Sequence, residues 1–331
     1  MQAPRFWDRS KWHPLSLLLA PLGWLYGAAT ARRLRAGAWE KLAVPVICVG
    51  NINAGGTGKT PTVIALAGFL AQKGVAAHVV SRGYGGRAVG PLRVDEMSHS
   101  AADVGDEPLL MAAFCPTWVA KDRAAGAKAA IKAGAGVILL DDGFQNPGLH
   151  KTLSMIVVDA QTGFGNGQVM PAGPLREPVK AGLARGDAVI SIGSERAQAG
   201  LGQSWPELAA LPRLQATLKP LKTGMDWQDQ RVIAFAGIGK PGKFFRTLER
   251  EGAVLVAAHA FADHAPYSPA ILQRLLKESR QKGAQLVTTE KDAARLPASF
   301  RPEVISLPVR LVFQDEELLE SLLVKAGILI A

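Results

Sequence analysis

The chain has 331 residues, enough for two domains of ordinary size, and 48% of them are hydrophobic while 20% are charged. This composition excludes a disordered chain, and the short apolar runs exclude a multi-span membrane protein. The 38 Lys and Arg residues outnumber 28 Asp and Glu residues, so the net charge is +10, which favours anionic partners: nucleotide phosphates, anionic lipid or nucleic acid. Two isolated cysteines, Cys48 and Cys115, give no support to a disulfide framework or a zinc site.

The amino-terminal segment combines an apolar helical pattern with basic and aromatic flanks. Residues 1–41 hold seven Lys or Arg and two Asp or Glu. The apolar side chains that fall on one helical stripe are Leu15, Leu18, Leu19, Leu22, Leu25 and Tyr26. Basic residues and tryptophans beside an apolar helix are typical of a membrane interface, so residues 1–40 are predicted to form a membrane-interface helix. A core helix and a spanning or cleaved segment are the alternatives.

A glycine-rich segment follows a predicted strand (residues 44–49) and precedes a predicted helix (residues 61–73). It matches the P-loop pattern Gly-x4-Gly-Lys-Ser/Thr except at its first position, which is asparagine. Its residues are Asn53, Ala54, Gly55, Gly56, Thr57, Gly58, Lys59 and Thr60. Backbone N–H groups of such a loop approach phosphates, its lysine reaches the β- and γ-phosphates, and its threonine binds Mg²⁺. We therefore predict an ATP-binding loop; a glycine-rich turn without a ligand is the alternative.

A second apolar run, residues 137–140, ends in Asp141 and Asp142. P-loop proteins need an acidic residue at the end of a neighbouring strand. One of the two carboxylates is predicted to hold the Mg²⁺ shell, directly or through water, and the other to position a neighbouring group. A solvated acidic turn is the alternative, because turns after strands often carry Asp.

Four residues are candidates for the base that phosphoryl transfer to a hydroxyl requires. Asp106 and Glu107 precede a predicted helix, where a charge pair at the helix N-terminus is an equally good explanation. Asp263 and His264 are adjacent, and a carboxylate can raise the basicity of an imidazole, although such a pair can also simply end a strand.

Two loops carry residues suited to an anionic ligand. Arg82 and Tyr84 lie in a glycine-rich segment after a predicted strand, which suits a ligand contact and a plain turn about equally. Arg176 lies in a polar loop, where residues alone favour a solvated surface arginine over a phosphate contact. We assign all three residues to the substrate side as a hypothesis.

Alternating strand and helix patterns predict an α/β fold. We predict a P-loop NTPase-like domain with a parallel sheet, a proline-rich linker, and a second, smaller α/β domain. In order, the predicted boundaries after the first helix are residues 41–212, 213–230 and 231–331.

Seven motifs in order resemble the tetraacyldisaccharide 4'-kinase family of lipid A biosynthesis. They lie at residues 50–61, 81–85, 105–108, 141–145, 174–177, 261–264 and 289–292. The resemblance implies two α/β lobes and a peripheral enzyme on the cytoplasmic face of the inner membrane. It also implies transfer of the ATP γ-phosphate, with Mg²⁺, to the 4'-hydroxyl of an acylated glucosamine disaccharide 1-phosphate, which yields lipid IVA.

The resemblance also implies roles for individual residues. Asp106 matches a catalytic base, His264 matches the histidine that works with it, and Asp263 precedes that histidine. The acidic residues that match positions near the metal are Glu107, Asp141 and Asp142. Two departures occur: Ala262 stands where many members have proline, and Asn146 where many have a histidine that could touch nucleotide or substrate.

Two other classes of protein compete with this interpretation. A membrane-associated P-loop ATPase switch would carry a signature lysine where this chain has Ala54, which counts against it. A non-catalytic nucleic-acid-binding protein would use the positive charge, but no basic–aromatic motif supports it, so no nucleic-acid partner is expected.

Overall fold

Two β-sheets of different size organise the chain. The protein is described by a computed structural model, which covers residues 4–8 and 12–330. In chain order the strands are β1 (Val46–Gly50), β2 (Ala77–Ser81), β3 (Leu92–Arg93), β4 (Thr117–Val119), β5 (Val137–Asp141), β6 (Leu153–Asp159), β7 (Ala188–Ile192), β8 (Arg213–Pro220), β9 (Arg231–Ala236), β10 (Val254–Ala260), β11 (Gln285–Thr289), β12 (Val304–Leu307) and β13 (Val309–Phe313).

Helices cover both faces of each sheet. In chain order they are α1 (Pro14–Arg35), α2 (Lys59–Gln72), α3 (Ala101–Val104), α4 (Asp106–Ala112), α5 (Arg123–Lys132), α6 (Val179–Leu183), α7 (Glu195–Ser204), α8 (Pro241–Arg250), α9 (Pro269–Lys282), α10 (Glu290–Arg295) and α11 (Glu316–Lys325). Short 3₁₀ turns lie at Arg5–Asp8, Pro206–Ala210 and Arg301–Glu303.

The large lobe is built on a nine-stranded sheet in the order β13-β8-β7-β6-β1-β5-β2-β4-β3. Its pairs are parallel except for β13–β8 and β3–β4 at the two edges. All residues of β1 are buried, because helices pack on both faces of a parallel sheet. Helices α2 and α11 cover one face, and helices α5, α6 and α7 cover the other. The central strand β1 therefore ends in the middle of the sheet edge, between β5 and β6.

The small lobe is a four-stranded parallel sheet in the order β10-β9-β11-β12. Helix α8 contributes Phe244 and Leu248 to the apolar core on one face, and helix α9 contributes Leu272 and Leu275 on the other. The predicted fold class, a P-loop-type parallel sheet with a smaller α/β domain, agrees with these two lobes.

The predicted domain boundaries need correction. Residues 213–220 of the predicted linker form β8, which pairs with β7 in the large sheet, and β13 and α11 also belong to the large lobe. The small lobe thus spans residues 231–307 as an insertion between β8 and β13. Pro212 and Pro220 misled the prediction because Pro212 precedes the strand and Pro220 is its last residue, and prolines are tolerated at strand ends.

Helix α1 packs through its small residues and Leu34 rather than through the leucines of the predicted stripe. A Cβ added to Gly23 would lie 2.7 Å from the Val169 carbonyl oxygen, and the Ser16 hydroxyl accepts a hydrogen bond from Asn166. The predicted apolar stripe faces outward, with Leu18 74% exposed. The helix is therefore not a core helix. Among the described residues it is the helix whose length and hydropathy suit a membrane span.

Candidate active site

The P-loop lies where β1 meets α2. Gly55 and Gly58 have φ values of +114° and +97°, a left-handed region that glycine adopts without strain. The space around Gly55 and Gly56 is open, since a Cβ added to either would meet nothing within 4 Å. Helix α2 begins at Lys59, so its first N–H groups and positive dipole end face the loop. The loop therefore has the accessible backbone and the helix end that phosphate binding uses.

Asn53, at the first P-loop position, anchors the loop to the rest of the large lobe. Its side-chain amide donates to the Gly163 carbonyl at 3.1 Å. The next residue, Ala54, donates its N–H to the Pro174 carbonyl at 2.6 Å. Asparagine in place of glycine thus ties the loop to the segment beneath α1.

Asp141 ends β5 beside the P-loop and is buried. The Ser81 hydroxyl donates to its Oδ2 at 2.9 Å, whereas its Oδ1 is buried without a hydrogen-bond partner in the described part of the chain. Burial, together with the negative charges of Glu107 and Asp142, raises the pKa of Asp141 to about 7. Among the described residues this carboxylate forms no ion pair, whereas Asp142 and Glu107 each pair with a cation.

Asp142, in contrast to Asp141, is kept ionised by neighbouring cations. The Arg176 guanidinium donates to both of its carboxylate oxygens, at 2.9 and 3.2 Å, and the Lys59 ammonium lies 3.6 Å from Oδ1. Burial raises the pKa of Asp142, but the charges of Lys59 and Arg176 outweigh burial and lower it to about 2. Arg176 also donates to Gln145. The favoured interpretation of Arg176 as a solvated surface residue is wrong.

Four side chains meet where the two lobes are in contact, and we call them the interlobe cluster: Asp106, Glu107, His264 and Lys291. Helix α4 of the large lobe supplies the two carboxylates, and the small lobe supplies the other two groups. His264 Nδ1 lies 3.1 Å from Asp106 Oδ1. The Lys291 ammonium donates to Glu107 at 2.8 Å and lies 3.3 Å from His264 Nε2. The cluster exists only while the lobes are in contact.

The charges of the cluster keep Asp106 ionised. Burial raises the pKa of Asp106, but the hydrogen bond from His264 and the charges of Lys291 and Arg295 outweigh it and hold the pKa below its usual value. Burial lowers the pKa of Lys291, but Glu107 and Asp106 outweigh burial and raise it. Because lysine only donates, its contact with His264 Nε2 favours the tautomer whose Nδ1–H donates to Asp106.

Two further sequence-predicted residues, Asp263 and Tyr84, lie beside this cluster. Asp263 Oδ1 is 3.7 Å from His264 Nε2. Tyr84 is 72% exposed, and its ring packs edge-on against His264 with centroids 5.7 Å apart. Arg82 directly follows β2 and is exposed. The structure therefore brings the predicted Asp106 and Glu107 of the large lobe together with the predicted Asp263 and His264 of the small lobe.

The two departures from the family pattern have local structural roles. Asn146 Oδ1 accepts the Gly148 N–H at 2.9 Å, and its carbonyl accepts from Lys151, so its side chain closes a turn. The carbonyl of Ala262 accepts the Ala265 N–H in the turn that leads into His264.

Sequence reasoning assigned no role to two cations on α10. Lys291 belongs to the interlobe cluster, and Arg295 Nε lies 3.7 Å from Asp106 Oδ2 while its guanidinium donates to the Gly237 carbonyl. Two signals pointed to them: the motif at residues 289–292, and their spacing of one helical turn.

The donor set determines which metal could bind. Within residues 4–8 and 12–330, no group of three or more His, Cys, Asp or Glu side chains is arranged to hold a metal ion. Mg²⁺ in phosphoryl-transfer sites needs no such cage, because one or two carboxylates and the substrate phosphates complete its coordination. The unpartnered Asp141 oxygen and the buried Thr60 are the groups that fit this requirement.

A P-loop at the edge of a parallel sheet, acidic residues on the next strand and an Asp–His pair across the cleft define a P-loop kinase. The family model described as Tetraacyldisaccharide-1-P 4'-kinase matches residues 15–327. The chain therefore belongs to the tetraacyldisaccharide 4'-kinase family, which confirms the resemblance noted in its motifs and disfavours the ATPase-switch alternative.

Named relatives and a solved structure agree with this assignment. The chain is 59% identical over 328 residues to a tetraacyldisaccharide 4'-kinase of Dinoroseobacter shibae, covering 98% of this chain and 97% of the relative. It is 57% identical over 315 residues to one of Jannaschia sp., covering 95% and 96%. Its fold matches LpxK from Aquifex aeolicus in complex with ATP, with a TM-score of 0.76, 28% identity, and coverage of 94% and 99%.

Proposed function

We propose that this kinase transfers the γ-phosphate of ATP to the 4'-hydroxyl of a tetraacylated glucosamine disaccharide 1-phosphate, forming lipid IVA. The observation that carries the proposal is the position of Gly239 of the small lobe: a Cβ added there would lie 3.8 Å from the Gly56 nitrogen of the P-loop and 3.5 Å from Asp263 Oδ2. Asp263 precedes the histidine of the Asp106–His264 pair, and the chain belongs to this family. The P-loop supplies phosphate binding, and the pair supplies a base for a hydroxyl acceptor.

The Asp106–His264 pair acts as one base. The proton of the acceptor hydroxyl passes to the pair as the oxygen attacks the γ-phosphorus, and the bond between the γ-phosphorus and the bridging oxygen of ADP breaks. Asp106 is 4% exposed and His264 is 29% exposed at their side chains, so the imidazole is the more accessible member. On the other side of the imidazole, the Lys291 ammonium lies 3.3 Å from Nε2. Asp263 Oδ1 lies 3.7 Å from the same nitrogen and makes no hydrogen bond with the described residues.

The cations of the cleft balance the charge of the phosphates. Lys59 lies at the start of α2, from which it can leave Asp142 for the β- and γ-phosphates. Arg176 remains paired with Asp142 and is oriented by Gln145. We propose that Tyr84, exposed beside the cluster, and Arg82, exposed two residues before it in the chain, contact the sugar phosphate head group.

Thr60 and Asp141 are proposed to hold Mg²⁺. When bound, Mg²⁺ neutralises phosphate oxygens during transfer. A cation fits beside Asp141 because this carboxylate is buried, has one oxygen without a partner and has a raised pKa. Glu107 and Asp142, also expected near the metal, pair with Lys291 and Arg176; we propose that they complete the charge balance around it.

Helix α1 is proposed to bind the cytoplasmic face of the inner membrane, where a lipid substrate is reached. Its outward face is apolar, with Leu18 and Trp24 74% and 75% exposed. Its last turn carries Arg32, Arg33 and Arg35, which suit anionic head groups.

One assay tests the reaction itself. The protein is incubated with Mg-ATP labelled at the γ-position and the disaccharide 1-phosphate, and the lipid fraction is examined for label. We expect label in the lipid and little ATP turnover without acceptor. ATP hydrolysis that is independent of the acceptor, with no labelled lipid, would instead support the ATPase switch.

Membrane binding is tested on the intact chain. Leu18→Glu combined with Leu25→Glu should abolish sedimentation with vesicles that contain anionic lipid, because it places charge on the outward face of α1. Leu221→Glu is the matched control, since Leu221 is 45% exposed but lies far along the chain from α1. Equal sedimentation of both variants would mean that another surface binds the membrane.

A further inference from the structure

A second group of ion pairs joins the lobes, and we call it the lysine latch: Asp159, Lys240 and Lys243. Asp159 ends β6 in the large lobe, and both lysines belong to the small lobe. Asp159 Oδ2 accepts hydrogen bonds from Lys240 Nζ at 2.6 Å and from Lys243 Nζ at 2.7 Å. Lys240 also donates to the Thr162 hydroxyl at 3.0 Å. One carboxylate of the large lobe thus holds two cations of the small lobe.

The latch depends on lobe contact because Asp159 is buried. Its side chain is 6% exposed, whereas each lysine side chain is 38% exposed. Burial raises the pKa of Asp159, but the charges and hydrogen bonds of Lys240 and Lys243 outweigh burial and lower it. Removing one side of such a pair leaves a buried charge without compensation. The ionised Asp159 therefore favours the arrangement in which the small lobe is closed.

The latch and the interlobe cluster lie on opposite sides of the P-loop. The P-loop follows β1, whose two neighbours in the sheet are β6 and β5. Asp159 ends β6 on one side. On the other side come β5, β2 and β4, and α4 with Asp106 packs near β4. Between them the small lobe approaches the loop, since a Cβ added to Gly239 would lie 3.8 Å from the Gly56 nitrogen.

We propose that Asp159 is a positioning residue for phosphoryl transfer. Through Lys240 and Lys243 it fixes one side of the small lobe, so that the interlobe cluster forms on the other side in register with the P-loop. The inference rests on the proposed function, because it takes the cluster to be the group that performs transfer. Asp159 acts through the lysines and not on the substrate.

Three variants test the latch by coupling: Asp159→Asn, the double variant Lys240→Met/Lys243→Met, and the combination of all three changes. A misplacement of 1 Å in a catalytic site can lower the rate about 10²-fold, so the first two should each lower kcat/KM for ATP by up to about 10²-fold. The combined variant should show no larger loss of kcat/KM than Asp159→Asn or the double lysine variant alone, because all three residues act through one contact. Asp159→Glu, which keeps the carboxylate, should retain more activity than Asp159→Asn.

Two further measurements separate positioning from folding. Small-angle scattering with a non-hydrolysable ATP analogue should give a larger radius of gyration for the latch variants than for the wild type. Thermal unfolding should show that the large lobe remains folded. Glu320→Gln is the matched control: it removes a Lys73–Glu320 ion pair of similar length, 2.6 Å, within the large lobe, and should change neither the rate nor the scattering.

Three results would overturn the proposal. The first is additive losses in the combined variant, and the second is an unchanged radius of gyration in every latch variant. The third is a loss of nucleotide affinity in the lysine variant alone, with normal affinity in Asp159→Asn, which would assign the lysines to phosphate binding. Because scattering requires no acceptor, it tests the latch even if the wild-type protein transfers no phosphate.

Discussion

The P-loop side of the cleft and the interlobe cluster differ in how they are assembled. Lys59 begins the helix that follows β1, and Asp141 and Asp142 lie at the end of the neighbouring strand β5, so their positions are set by the core of the large lobe. The cluster joins Asp106 to His264 across 158 residues and two lobes. Nucleotide binding can therefore be preorganised in one lobe, whereas transfer also requires the second lobe to be in place.

The largest effect is expected from Asp106→Ala. Removing the base should lower turnover by about 10²–10⁴-fold, with nucleotide affinity within about twofold of the wild type, since the P-loop is untouched. Turnover and calorimetric binding of an ATP analogue measure both quantities. Asp315→Ala, which removes a helix-capping aspartate of α11, is the control for an aspartate at a helix start. If Asp106→Ala lowered nucleotide affinity as much as turnover, the two regions of the site would not have separate functions.

Lys59→Met should affect the other region. A lost charge-assisted contact with phosphate corresponds to about 10–10²-fold in affinity, so nucleotide binding should weaken to that extent and turnover should fall with it. The same calorimetric titration measures the effect. Wild-type affinity in this variant would show that Lys59 does not reach the phosphates and stays with Asp142.

Lys291→Met should have a moderate effect with a defined pH signature. Lys291 contributes to the low pKa of Asp106, so its loss should raise that pKa. The acid limb of the turnover–pH profile should therefore move to higher pH, with turnover near neutral pH reduced by up to about tenfold. Lys282→Met, which removes an exposed lysine paired with Glu278 in the same lobe, should leave the profile in place. An unshifted acid limb in Lys291→Met would remove Lys291 from the electrostatics of the base.

The smallest effect is on stability and concerns Asp141. Its folded-state pKa of about 7 lies above the ordinary value of 3.8, so between these values the folded protein binds more protons than the unfolded chain. Stability from this group is therefore complete below about pH 4 and is lost as the pH rises through about 7. Asp141→Asn cannot ionise, and it should raise the Tm at pH 8 by about 2–4 °C.

The nucleotide-free protein is the material for this Tm measurement, because a bound cation would offset the charge. At pH 4 the difference between Asp141→Asn and the wild type should be small. A Tm gain that is the same at both pH values would trace the effect to packing rather than to charge.

Local patterns in the sequence were sufficient for the P-loop and for the acidic end of β5, because each is a short segment whose geometry follows from strand, loop and helix. The pairing of Asp106 with His264 was expected only from family resemblance, since no local rule connects residues so far apart. Local signals pointed to Lys291 and Arg295, but their contacts with Glu107 and Asp106 join distant segments and were missed for the same reason. The hydrophobic pattern could not predict that Leu18 faces outward. The face of α1 that packs is defined by Ser16, Gly23 and Gly27 and by the surface that they contact.

The insertion of the small lobe between β8 and β13 has a consequence for synthesis on the ribosome. Strand β8 emerges before the small lobe, but its antiparallel partner β13 and helix α11, which packs on the same face of the sheet as α2, emerge only after it. The sheet edge at β8 therefore has no partner strand while the whole small lobe is translated. Such unpaired edges and late, non-local contacts slow folding and favour aggregation. Chaperone demand should thus be greatest for nascent chains that end between residues 221 and 308.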